Sequence, residues 1–285
     1  MSDYIVRATA GNGSVLVFVA STKNLVNKAR ELHKTTPVAT AALGRLLTAA
    51  SMMGATLKND SDIITLTVKG DGPLGGIVAT TNNKSMVKGY VHDPQVILPA
   101  NNLGKLDVGS AVGTGTLTVV KDMGLKEPVS GQVDLVSGEI AEDITYYFAV
   151  SEQLPSSVAL GVMVDKDLKQ AGGYIIQLMP DATEETIIHL EKTLPNLPTV
   201  TTMLESGKSP EDILNIIFDD AVIYEKIYPE YSCNCSTEKT KKALLNVGTD
   251  ELKAILKEDK GANIHCHFCN KDYYFGEDVI REMLR

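Results

Sequence analysis

The sequence runs to 285 residues, 44% hydrophobic and 22% charged, which is room for one large or two modest cores and excludes global disorder. No apolar run approaches the ~20 residues of a membrane helix, and Met1-Ser2-Asp3-Tyr4 opens no secretory signal, so a cytosolic protein without a membrane span is expected. The net charge of −9 is a poor footprint for nucleic acid, which wants a basic face.

Residues 1–120 carry 11 basic and 7 acidic side chains and read as mixed sheet and helix. Two β-rich runs, 4–10 and 14–20, flank Gly11-Asn12-Gly13, a hairpin signal. Helices are predicted over 24–35 and 38–57. Pro37 suits the start of the second, and Leu43, Leu46, Leu47, Ala50 and Met53 recur at helical spacing. Short strands follow at 63–69, 76–81, 86–91, 116–120 and 129–136, a helix over 139–150, and strands at 158–164 and 174–179. Strands not strictly interleaved with helices indicate an α+β fold. Gly109, Gly113 and Gly115 open no helix after a strand, so they read as turn glycines, as do Gly70, Gly72, Gly75 and Gly76.

Residues 121–231 carry 7 basic and 20 acidic side chains. After Pro180 the pattern turns helical. Asp181 with Glu184 suggests a capping box, and Ile187, Ile188, Leu190 and Leu194 form an apolar stripe. Pro195 and Pro198 break it. Ser209-Pro210-Glu211-Asp212 starts another helix. The division expected is a core domain over 1–180, a helical linker over 181–231 whose stripes must lie on something, and a small module over 232–285. Tyr224, Tyr228 and Tyr231 are expected to pack that linker, and Met52 and Met53 to fill core.

The last segment is neutral, with 9 basic and 9 acidic side chains, and holds all four cysteines: Cys233, Cys235, Cys266 and Cys269. Ser236 is a plausible N-cap for a helix over 237–247, Gly248 a stop and Thr249 a second cap; a final helix starts from Glu277. Fifty-odd residues build little core, so a staple is expected. In a reducing cytosol, clustered cysteines argue for a metal or a redox switch rather than a disulfide framework. Cys266 and Cys269 have the two-residue gap of a zinc knuckle. Cys233 and Cys235, two apart in extended chain, share a face. Four thiolates would close a tetrahedral zinc site, leaving His265 and His267 as flanking groups rather than ligands. The same sulfurs could be oxidised to disulfides, Cys233 with Cys235 and Cys266 with Cys269 being the local choice, and loss of the metal should then unfold the module. His33, His92 and His189 are scattered, no cysteine stands outside the cluster as a nucleophile, and no enzyme motif is present. Two other readings stay open: a zinc-ribbon nucleic-acid or ribosome-binding protein, and a thiol oxidoreductase.

Cys233-Asn234-Cys235-Ser236, Ala243-Leu244-Leu245, Cys266-His267-Phe268-Cys269, Tyr274-Phe275 and the upstream run Gly172-Gly173-Tyr174-Ile175-Ile176-Gln177-Leu178-Met179-Pro180 together resemble the heat shock protein 33 family over essentially the whole chain. The resemblance implies an α+β N-terminal domain, a helical linker and a C-terminal module in which all four cysteines hold one Zn²⁺ when reduced. It implies an ATP-independent holding chaperone, off while zinc is bound. Oxidation to Cys233–Cys235 and Cys266–Cys269 disulfides, with zinc release and linker unfolding, would switch it on. It further implies unfolded client proteins as partners and a homodimer when active, with no membrane or nucleic-acid partner.

Overall fold

The computed structural model describes residues 2–284; Met1, of the N-terminal tetrapeptide, and Arg285, of the predicted C-terminal module, lie outside them. The chain folds as two units, Met1–Tyr231 and Ser232–Arg285.

In the first unit the predicted hairpin is β1 (Tyr4–Ala10) and β2 (Val15–Ser21), with Asn12 and Gly11 both at positive φ in the turn. Helices α1 (Lys23–His33) and α2 (Pro37–Gly54) follow, then β3 (Ile63–Gly70), β4 (Ile77–Asn82), β5 (Met86–Val91), a short α3 (Val108–Val112), β6 (Gly115–Asp122) and β7 (Val129–Asp134). Next come α4 (Ala141–Val150), β8 (Ser156–Val164), β9 (Leu168–Leu178), α5 (Glu184–Thr193), α6 (Val200–Glu205), α7 (Pro210–Ile217), β10 (Val222–Ile227) and β11 (Glu230–Tyr231). One sheet has the order β10-β1-β2-β9-β8 and is antiparallel throughout. The other has the order β11-β5-β4-β3-β6-β7 and is parallel only at β11 against β5.

Helix α2 packs against strands of both sheets. It is apolar nearly all round, as an interior helix must be, and Leu43, Leu46, Leu47, Ala50, Met52 and Met53 are all buried. The first sheet is covered on both faces. Phe18, Ala20 and Ile175 turn toward α2, whereas Val6, Ala8, Val17, Val19, Tyr174 and Ile176 turn the other way, onto Leu190, Val200, Leu204, Ile213 and Ile217 from α5, α6 and α7. Two buried faces explain why β2 reads as a continuous apolar run rather than an alternating one.

Several local expectations are corrected. Residues 181–231 are helical only as far as Ile217; Val222–Ile227 pairs antiparallel with β1 as an edge strand. Its residues are mostly exposed, so no buried face shaped a periodic signal. Tyr224 and Tyr228 are accordingly 63% and 61% exposed, and Tyr231 alone of the three is buried. Helix α5 is capped by Thr183, whose hydroxyl accepts from Thr186 N, because Thr183 is extended and Asp181 lies two residues upstream. The Ser209 capping box forms as expected, with Asp212. The turn glycines serve backbone packing: a Cβ on Gly115 would sit 1.9 Å from Lys69 O.

The second unit holds α8 (Thr237–Leu245), α9 (Thr249–Glu258), the hairpin β12 (Gly261–Cys266) and β13 (Lys271–Gly276), and α10 (Glu277–Met283). Ser236 caps α8 through Lys239 N; Thr249 is the first helical residue of α9 rather than its cap, because Gly248 precedes it at φ +95°. Its core is Leu244, Leu252, Phe275 and Ile280, with partly buried neighbours.

Candidate metal centre

The hairpin and the segment before α8 bring the four cysteines together. Cys266 ends β12, and the chain reverses so that Cys269 N and Asn270 N both donate to Cys266 O, at 3.2 and 2.8 Å. Asn270 takes φ +54°, a left-handed turn position that asparagine tolerates. Cys233 and Cys235 lie in the extended stretch that ends at the Ser236 cap. All four sulfurs lie within 4.8 Å of one another, with Cys233–Cys266 at 3.7 Å and Cys235–Cys269 at 3.3 Å. Each is half-buried and free of disulfide bonding.

A tetrahedral zinc with bonds of ~2.3 Å sets its thiolates about 3.8 Å apart, so the donor set fits a closed four-sulfur site. His265 turns away from the sulfurs: Nδ1 meets Asp272 Oδ1 at 2.9 Å and Nε2 meets Asn270 Oδ1 at 3.2 Å. Its pKa is raised, chiefly by the Asp272 hydrogen bond.

Charge is unevenly shared among the thiols. Burial pushes Cys269 up to about 12, and its hydrogen bond with Cys235 adds to this; Cys233 is also raised, first by burial. Burial acts the same way on Cys235, but hydrogen bonds from the Tyr273 hydroxyl at 3.0 Å and from Cys269 outweigh it and bring Cys235 to about 7. The sequence showed Tyr273 only as part of an aromatic run. The β12–β13 register, which sets Ile264 opposite Tyr273, is what brings its hydroxyl to Cys235.

The histidines of the first unit serve local structure. His33 is buried against the Tyr231 hydroxyl at 3.0 Å, His92 stacks on Tyr90, and His189 Nε2 lies 2.7 Å from Ile217 O. Tyr231 also donates to Gly89 O at 2.7 Å, a buried anchor that sequence reading missed.

Fold and site together define a mixed α+β protein whose small C-terminal unit carries a four-cysteine centre able to hold a metal ion. The family model described as Hsp33 protein matches residues 3–276. The chain is 55% identical to the 33 kDa chaperonin of Clostridioides difficile over 289 aligned positions, covering 100% of this chain and 99% of that one. Identity to the 33 kDa chaperonin of Acetivibrio thermocellus is 49%, covering 100% and 98%. The crystal structure of the 33 kDa chaperonin of Thermotoga maritima, heat shock protein 33 homolog, superposes with a TM-score of 0.92 at 38% identity, covering 100% and 98%. The chain belongs to the Hsp33 family, a family of chaperones and not of enzymes.

Proposed function

We propose that this chain is a cytoplasmic, ATP-independent holding chaperone, switched by the redox state of Cys233, Cys235, Cys266 and Cys269. The observation that carries this reading is the convergence of all four sulfurs within 4.8 Å in a unit whose buried apolar core is otherwise four side chains. The four cysteines would hold one Zn²⁺ in the reduced state, and the bound ion would supply the folding free energy that so small a core lacks.

Oxidation uses the cysteines themselves. In each pair, Cys233 with Cys235 and Cys266 with Cys269, two thiolates give up two electrons and an S–S bond forms. One peroxide accepts the electrons together with two protons from solvent, its O–O bond breaks, and two waters leave. A disulfide holds its sulfurs about 2 Å apart, well inside the 3.7 and 3.3 Å of the Cys233–Cys266 and Cys235–Cys269 contacts, so forming the within-motif bonds draws the sulfurs out of those contacts. The backbone around the centre rearranges with them.

Residues 181–231 are the proposed linker between core domain and switch. The apolar face they cover, Val6, Ala8, Val17, Val19 and Ile176, is a suitable holding surface once free, and their acidic content keeps them soluble when released. The partners are unfolded clients, the active form a homodimer, and no nucleic acid is needed.

The test couples the parts. Reduced, zinc-loaded protein is treated with peroxide under mild heating, released zinc is read with a chromogenic chelator, and suppression of a model client's aggregation is measured in the same samples. The expected result is zinc release and suppression together, both reversed by reductant with zinc, and peptide mapping that finds the two within-motif disulfides. Zinc release without suppression would reduce the centre to a structural staple.

A further inference from the structure

A cavity of about 280 Å³ opens in the first unit between the end of α2, β9 and the end of α4, walled by Phe18, Met52, Met53, Phe148 and Met179. An engineered cavity of ~150 Å³ holds benzene, and pockets for drug-sized ligands start near ~300 Å³, so this one is sized for a single large apolar side chain and its flanking amides. Methionine walls adapt to many shapes.

The polar groups are few and specific. Gln177 is only 5% exposed and lines the cavity. Its backbone is committed to the sheet, opposite Leu16 on one side and Ser156 on the other. Its side-chain amide makes no hydrogen bond to another described residue and is not sealed from solvent, so it is open to a ligand entering the cavity. At the rim, the Lys121 ammonium lies 2.5 Å from Glu152 Oε1, an ion pair without hydrogen-bond alignment. Glu152 is held there because α4 ends in a turn with Gln153 at φ +53°, a position glycine usually takes. The rim charges satisfy each other, which disfavours a charged ligand. Gln177 offers one donor and one acceptor, the complement of a peptide group.

We infer that this cavity is a subsite for one apolar residue of an extended non-native chain, with the side chain among the methionines and a flanking peptide group on Gln177. The inference rests on the chaperone reading above and adds the substrate chemistry. No cavity-lining residue comes from 181–231 or from the cysteine unit, so the subsite exists in the reduced protein.

The test uses reduced, zinc-loaded protein labelled at the methionine methyls, nine in the chain. N-acetyl-L-phenylalanine amide is titrated in and followed by NMR. Shifts are expected at Met52, Met53 and Met179, with a dissociation constant on the order of 1 mM for a ligand this small. Gln177→Leu, of similar volume, should weaken binding about five- to tenfold; Gln177→Met is the second variant if the first does not fold, which the other methionine methyls report. N-acetyl-L-lysine amide should bind poorly. Absence of shifts at the three methyls, or equal binding by a folded Gln177 variant, overturns the inference. This readout needs no oxidation and no holding activity, so its failure is separable from failure of the chaperone reading. In the oxidised protein Gln177→Leu should then hold clients several-fold less well than wild type; unchanged holding would overturn the assignment to clients.

Discussion

Asp143 shows how much one side chain can organise. It is fully buried, and its carboxylate accepts from four backbone amides: Val136, Ser137 and Gly138 on Oδ1 and Ile140 on Oδ2, at 2.8–3.2 Å. Ile140 meanwhile sits at φ +70°, a strained position for a β-branched residue. Removing the carboxylate orphans four donors, each worth about 1–3 kcal/mol when left unmade in the interior. Asp143→Ala is therefore expected to cost about 4 kcal/mol or more, read as a fall in the urea midpoint, and Asp143→Asn, which keeps one acceptor oxygen, clearly less. A cost below about 1 kcal/mol for the alanine variant would contradict the role. The sequence marked 139–150 as helical without revealing this cluster, because the four donors lie in an irregular loop with no period. The cysteines were legible by contrast: their chemistry is carried by residue type and spacing. Tyr273 was not, since its role depends on a strand register.

At the scale of elements, Glu211 and Asp220 fasten residues 181–231 to β1 and the β1–β2 turn, and Asp212 fixes the start of α7. Glu211 accepts from the Tyr4 hydroxyl at 2.6 Å and pairs with Lys226; Asp212 closes the Ser209 capping box; Asp220 accepts from Gly11 N and Asn12 N at 3.1 and 2.8 Å. All three are held below the usual carboxylate range. Burial opposes this in Glu211 but is outweighed by Lys226 and Tyr4; the Ser209 hydroxyl lowers Asp212, and the Asn12 amide lowers Asp220. A carboxylate whose folded pKa is depressed stabilises the fold above its unfolded value, about 4, and loses that contribution as pH falls through the folded value. Amide exchange protection in α7 and β10 should thus fall before that of α2 as pH is lowered from about 5 to about 2. Simultaneous loss in all three would count against this fastening. The apolar stripe of α7 was readable because it buries Ile213, Leu214 and Ile217; that of α5 was overread, since Leu190 alone is buried and Ile188 is exposed. Strand β10 was not readable, because it is held by backbone pairing at a sheet edge and buries little.

For the whole molecule, the division into two units sets two different sources of stability. The first has large cores on both faces of a sheet; the second has four buried apolar side chains and four convergent thiols. Chelation of the reduced protein should abolish exchange protection in α8, α9 and the β12–β13 hairpin and leave α2 protected. Unchanged protection in the second unit would show that the small core suffices alone. The need for a staple was readable from length and cysteine count, whereas the buried tyrosine at the junction was not. That junction has a mechanical consequence. Tyr231, with its hydroxyl held by Gly89 and His33, is separated from Cys233 by Ser232 alone. Two residues at full extension span about 7 Å, so Cys233 stays within that reach of Tyr231 however the cysteines are paired. A movement that would carry Cys233 past that reach would require Tyr231 to give up its hydrogen bonds to Gly89 and His33.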